Sequence, residues 1–167
     1  MKRILLGLIV LLCLSPTLRA QTLSESILAK WQTYIFVSTE MPRSELEGLA
    51  RDSLNTNTTL LFNGFGGGGQ AAIQKYVFQV NQSCCQGRAS FALDPLIFAK
   101  YKVSGAPTFL LVKGNSTLYG EYSLISGDMR FANVLKYWAQ DSKVEQIRFE
   151  ATRLYSVYAK YQKWLIL

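Results

Sequence analysis

Two adjacent cysteines, Cys84 and Cys85, are the side chains of this chain best suited to covalent chemistry, because a thiolate is both a nucleophile and a redox centre. Neighbouring Cα atoms lie about 3.8 Å apart, below the usual disulfide span of roughly 4.4–6.8 Å, so a ring between them is strained. The pair reads first as two loop thiols or a local structural ring, and second as thiols that meet a partner protein in a mixed disulfide. Histidine is absent, which removes the Ser-His-Asp and Cys-His relays and any imidazole base. With three cysteines in the whole sequence, the four ligands of a structural zinc cannot be assembled either.

A second pattern imitates a cofactor site. Gly64-Phe65-Gly66-Gly67-Gly68-Gly69 satisfies the spacing of a dinucleotide fingerprint between a strand and a helix. Any glycine tract does the same, and Gln70 stands where a phosphate-binding loop needs Lys. The run is read as a flexible loop, and no cofactor is expected.

The elements that position these residues begin with a leader. Met1-Lys2-Arg3 is a positive start, Ile4 to Leu14 an apolar run too short to span a bilayer of roughly 30 Å, and Ser15 to Ala20 a cleavage region. A signal peptide over residues 1–20, cleaved after Ala20, is therefore expected, with an uncleaved anchor as the alternative. Cleavage takes Lys2, Arg3 and Arg19 and no acid, so 18 basic residues become 15 against the same 11 acids, a net charge of +4. That mild excess does not point to nucleic acid. An exported compartment follows, the periplasm in a Gram-negative cell. Three Asn-x-Ser/Thr triplets, at Asn57, Asn81 and Asn115, carry little weight in so polar a composition.

Beyond a short helical lead, Leu23 to Lys30, the aromatic and β-branched segment Trp31 to Val37 predicts a strand. Pro42 then opens a helix to about Asn55, with Leu46, Leu49, Ala50 and Leu54 on one face. Thr58 to Phe62 predicts a strand, Gln70 to about Val80 a helix, and the cysteines fall in a polar loop beyond it. Ser90 to Leu93 is a short strand, followed by a helix with Asp94 as cap and Pro95 in its first position. Pro107 to Val112 and Thr117 to Leu124 form a hairpin through Lys113-Gly114-Asn115. From Met129 or Arg130 the chain is helical, with a break near Asp141-Ser142. This alternation predicts an α/β fold with a mixed sheet and flanking helices.

Val103-Ser104-Gly105-Ala106-Pro107-Thr108-Phe109-Leu110 resembles the cis-proline strand of thioredoxin-like proteins. In redox members of that fold the proline faces a C-x-x-C pair between the first strand and its helix; here Met41-Pro42-Arg43-Ser44 occupies that place. Neither Met41 nor Ser44 can form or attack a disulfide. Phe36-Val37-Ser38-Thr39-Glu40-Met41-Pro42, Leu60-Leu61-Phe62-Asn63-Gly64, Asp94-Pro95-Leu96-Ile97-Phe98-Ala99-Lys100-Tyr101 and Ala106-Pro107-Thr108-Phe109 together resemble the F-type conjugative pilus assembly family called TrbC, over roughly residues 33 to 140. The resemblance implies a thioredoxin-like domain, residues 21–141, in a non-catalytic periplasmic accessory of a type IV secretion machine. It also implies contact with other pilus assembly proteins, and leaves open whether pilin itself is touched. The glycine run, the adjacent cysteines and a C-terminal helical extension, residues 142–167, depart from it.

Ser38, Met41, Pro42 and Pro107 line the groove that substrates occupy in redox relatives, and they are the binding candidates there; a soft Met beside a rigid Pro accepts a peptide without chemistry. In the extension, Val144, Ile147, Ala151, Leu154, Tyr158, Tyr161 and Leu165 form a seam of period 3.5. It packs either on its own domain or, through Tyr158 and Tyr161, on a partner helix or a membrane surface. The rival to the assembly reading is a thiol-disulfide oxidoreductase or isomerase using Cys84 and Cys85.

Overall fold

Strand pairing starts from the most apolar segments. In the computed structural model, which describes residues 30–64 and 66–164, β1 (Trp31–Val37), β2 (Thr58–Phe62), β3 (Ser90–Leu93), β4 (Thr108–Lys113) and β5 (Tyr122–Ser126) form one sheet. The order is β3-β2-β1-β4-β5. The β1–β2 and β2–β3 pairs are parallel, with Ile35 opposite Leu60 and Leu60 opposite Phe91; β4 runs antiparallel to β1 and β5, with Ile35 opposite Phe109. Ile35-Phe36-Val37, Leu60-Leu61-Phe62 and Phe109 to Val112 are buried without a break, as central strands covered on both faces require.

Because successive strand residues face opposite sides, these runs feed two cores. Ile35, Val37, Leu60, Phe62, Phe109 and Leu111 meet helices α1 (Arg43–Ser53), α2 (Gly69–Cys85), α4 (Phe131–Asp141) and α5 (Glu145–Trp164). Phe36, Leu61, Leu110 and Val112 meet Phe98 and Tyr101, at and just beyond the short helix α3 (Pro95–Lys100). Phe36 and Phe98 pack edge to face at 4.6 Å, and Phe109 stacks near-parallel on Phe131 at 6.1 Å. This is the thioredoxin-like mixed sheet with flanking helices that the resemblance implied. The Asp94 cap is also present, its Oδ1 accepting the Leu96 and Ile97 N–H groups at 3.0 and 3.1 Å.

Two expectations need correction, and one left open is decided. α2 does not stop near Val80 but runs to Cys85, so the cysteines sit in its last turn and not in a loop. Its apolar face continues through Val80 to Cys85, both buried, and it ends where Gln86 turns left-handed and the Gln86 and Gly87 N–H groups bond the Asn81 carbonyl. The last strand is Tyr122–Ser126 and not Thr117 to Leu124. Leu118 and Tyr119 are 63% and 90% exposed, so nothing draws them into the ladder, and a turn at Gly120 (φ 84°) precedes the pairing. The C-terminal seam, left open between domain and partner, packs on its own domain. Ile147, Ala151, Leu154 and Tyr158 belong to the main core with Phe131, Val134, Leu135 and Trp138 of α4. The helix expected as an extension from residue 142 thus completes that core. Ser142 makes the break, its Oγ accepting the Val144 N–H and its carbonyl the Arg148 guanidinium. The leader, the helical lead before Lys30 and Leu165 lie outside the described residues.

Candidate functional site

At the carboxyl end of β1 the chain must turn from a buried strand into α1. Ser38 to Pro42 does this in a tight turn: the Met41 N–H donates to the Ser38 carbonyl at 3.3 Å, and the Ser38 N–H approaches the Met41 sulfur at 3.4 Å. The sulfur of Met41, 9% exposed, thus closes the turn through its own side chain. Pro42 precedes the first helical residue, where its carbonyl accepts the Glu45 and Leu46 N–H groups. Arg43 then pairs with Glu47 one turn on, at 2.8 Å.

Facing this turn, the Ala106-Pro107 bond is cis. Pro107 is held from two sides: its carbonyl accepts the Gly127 N–H at 3.1 Å, and the next residue, Thr108, has its hydroxyl 2.8 Å from both the Gly105 carbonyl and the Ser126 hydroxyl. Proline has no N–H to offer, so β4 pairing begins at Thr108. Between the two loops lies an open groove of about 790 Å³. Val37, Met41, Phe62, Phe98 and Pro107 form its buried floor, Pro42 and Ala106 are exposed at it, and Glu40, Glu45 and Asp128 bring carboxylates to it.

The fold brings Ser38, Met41, Pro42 and Pro107, from two loops far apart in sequence, to the same groove. Ser44 follows in the first turn of α1, so the positions that hold thiols in redox relatives carry a thioether and a hydroxyl, which do no thiol–disulfide exchange. Cys84 and Cys85 are bonded to each other. They are not part of the groove lining: Cys85 is 1% exposed in the main core, and Cys84 is half-buried against it.

Tyr158 is not the free aromatic that a partner would need. It is 7% exposed, its ring edge-on to Phe131, and its hydroxyl donates to Asp52 at 3.2 Å. Burial, reinforced by the Asp52 charge, pushes the phenol up to about 12. Burial likewise holds the Asp52 carboxyl above its ordinary value, against the Tyr158 hydrogen bond and the charges of Arg130 and Arg51. Tyr161 is half-buried, with its hydroxyl 3.4 Å from the Arg88 guanidinium. Among the described residues, Ile147, Ala151, Leu154 and Tyr158 of the seam are spent on the core.

Sequence reasoning missed Phe62, the three carboxylates and the Asn63-Gly64 rim. Glu40 and Glu45 flank the Met41-Pro42 turn and could have been picked out from that adjacency. Asp128 carries no local signal; it reaches the groove because Gly127 is bonded to Pro107.

Over residues 35–140, which include both loops and Asp128, the sequence matches the family model described as the type-F conjugative transfer system pilin assembly protein, TrbC. The chain belongs to this family. Every groove residue named above lies inside the span matched to TrbC, whereas α5 lies beyond it. A solved structure described as "Structure of MTB dsbF in its mixed oxidized and reduced forms" is similar at 16% identity and a TM-score of 0.44, covering 78% of this chain and 84% of that one. No curated protein gives a significant match. Among the described residues, no helix is long and apolar enough to cross a membrane.

Proposed function

We propose that this TrbC-family chain is a non-catalytic periplasmic accessory of an F-type conjugative secretion system, exported by a leader cleaved after Ala20, that assists pilus assembly by holding segments of other assembly proteins or of pilin. One observation carries the reading. The cis-proline groove is open, with Pro42 and Ala106 exposed beside polar groups, yet at the thiol position it holds Met41, its sulfur already engaged by the Ser38 N–H. A groove of this kind binds polypeptide and lets it go unchanged, because a thioether exchanges no disulfide. Ser38, Met41, Pro42 and Pro107 are the contact residues.

The bond between Cys84 and Cys85 favours one rival, a thiol-disulfide oxidoreductase or isomerase acting at the end of α2. A single experiment separates the two. Plasmid transfer frequency is measured from donors lacking the gene and complemented with the wild-type protein, with Cys84→Ser/Cys85→Ser, or with Met41→Glu/Pro107→Ala. The assembly reading requires that deletion abolish transfer, that the serine pair restore it and that the groove variant fail. Rescue by the groove variant with failure of the serine pair would install the redox reading instead.

A further inference from the structure

The charges around the groove are one-sided. Glu40, Glu45 and Asp128 line it, and no Lys or Arg does, in a protein with 18 basic residues against 11 acidic. Glu40 and Asp128 are exposed and Glu45 is partly so. None of the three carboxylates takes part in an ion pair or a side-chain hydrogen bond among the described residues, whereas Glu47, one turn beyond Met41-Pro42, is held by Arg43 and Ser83. Two cations, Arg51 and Arg130, line an adjoining hollow of about 220 Å³ that shares Glu45 and Asp128 with the groove, and they form no ion pair with either. Unpaired charge of one sign along an open groove is a specificity device: it attracts the complementary segment, and it repels segments of its own sign.

Basing this on the reading that the groove holds partner polypeptide, we infer that its occupant is a basic segment, an extended peptide whose Lys or Arg side chains reach Glu40, Glu45 and Asp128 while its apolar parts lie on Pro42 and Ala106. A nucleic acid is repelled by the same carboxylates. A metal ion is a poor alternative, since among the described residues no three Asp, Glu, Cys or His side chains converge as a metal site needs. Dispersed carboxylates along an open channel match charges spaced along a peptide.

The test uses the purified protein and three fluorescein-labelled peptides of equal length, alternating Ala with Lys, with Gln or with Glu. Binding is followed by anisotropy and located by amide chemical shifts. The Lys peptide is expected to shift Ser38 to Glu40 and Ser104 to Ala106, to bind more tightly than the Gln peptide, and to weaken as salt rises. Glu40→Gln/Glu45→Gln/Asp128→Asn is expected to weaken it by about tenfold while leaving the thermal midpoint and circular dichroism unchanged, because these carboxylates support no other side chain. If the Gln or Glu peptide shifts the same groove amides as strongly as the Lys peptide, the charge inference is overturned and the groove survives. If the Lys peptide binds with shifts elsewhere, or if no peptide shifts the groove, the inference and the groove reading both fall.

Discussion

The Tyr158 hydroxyl donates to the Asp52 carboxylate at 3.2 Å, joining the middle of α5 to the last turn of α1 across 106 residues of sequence. Both partners are buried, at 7% and 8% exposure. Removing the donor leaves a carboxylate without this bond in a site that water hardly reaches. Tyr158→Phe is therefore expected to cost about 1–3 kcal/mol, read as a lowered urea midpoint with an unchanged slope. A change below a few tenths would mean that water replaces the hydroxyl.

Asp52 also makes stability depend on pH. Its folded pKa is raised above the ordinary 3.8 by burial, outweighing the Tyr158 hydrogen bond, Arg130 and Arg51. The folded state thus holds this proton more tightly than the unfolded chain does. The contribution is fully present below the unfolded value and is lost as pH rises through the folded one. Glu47 acts in the opposite sense: Ser83 and Arg43 lower its pKa, so its contribution is lost on acidification. Asp52→Asn isolates the first effect, because its amide oxygen still accepts from Tyr158. The variant should match or exceed the wild type at pH 7, and the wild type should gain on it as pH falls. A gap that instead widens in favour of the variant on acidification would refute the assignment.

α5 contributes Ile147, Ala151, Leu154 and Tyr158 to the main core. Burial of one large apolar side chain is worth about 1.5–3 kcal/mol, against a total of about 5–15 kcal/mol for a domain. A chain ending at Asp141 should therefore fail to fold cooperatively, showing loss of near-ultraviolet dichroism and a broad or absent thermal transition. A sharp transition would show that the core closes without α5.

Cys84 and Cys85 are joined in the folded protein, so no free thiol at these positions should react with an alkylating reagent until a dithiol reductant is added. Reduction should add two hydrogens by mass and expose two alkylation sites on denaturation. Cys85→Ser buries a hydroxyl where the wild-type side chain is 1% exposed, and it should lower stability by about 1–3 kcal/mol. Cys84→Ser, at a half-buried site, should cost less, as parallel urea titrations would read.

What the amino-acid sequence determined by itself is local. β1, β2 and β3 were legible to the residue because Trp31 to Val37, Thr58 to Phe62 and Ser90 to Leu93 are apolar or β-branched runs between polar turns. The Asp94-Pro95 start of α3 was legible because cap and proline act over three residues. Met41 and Pro107 could be placed in one groove only through resemblance. Tertiary structure decided the rest. Periodicity showed that one face of α5 is apolar but not what covers it, and the answer, α4 and the sheet core, depends on contacts between elements. Asp128 enters the groove through Gly127, and Asp52 meets Tyr158, only once the sheet has closed. Short-range pattern reports the conformation that a segment prefers; which distant side chains then share a site is set by burial of the whole core.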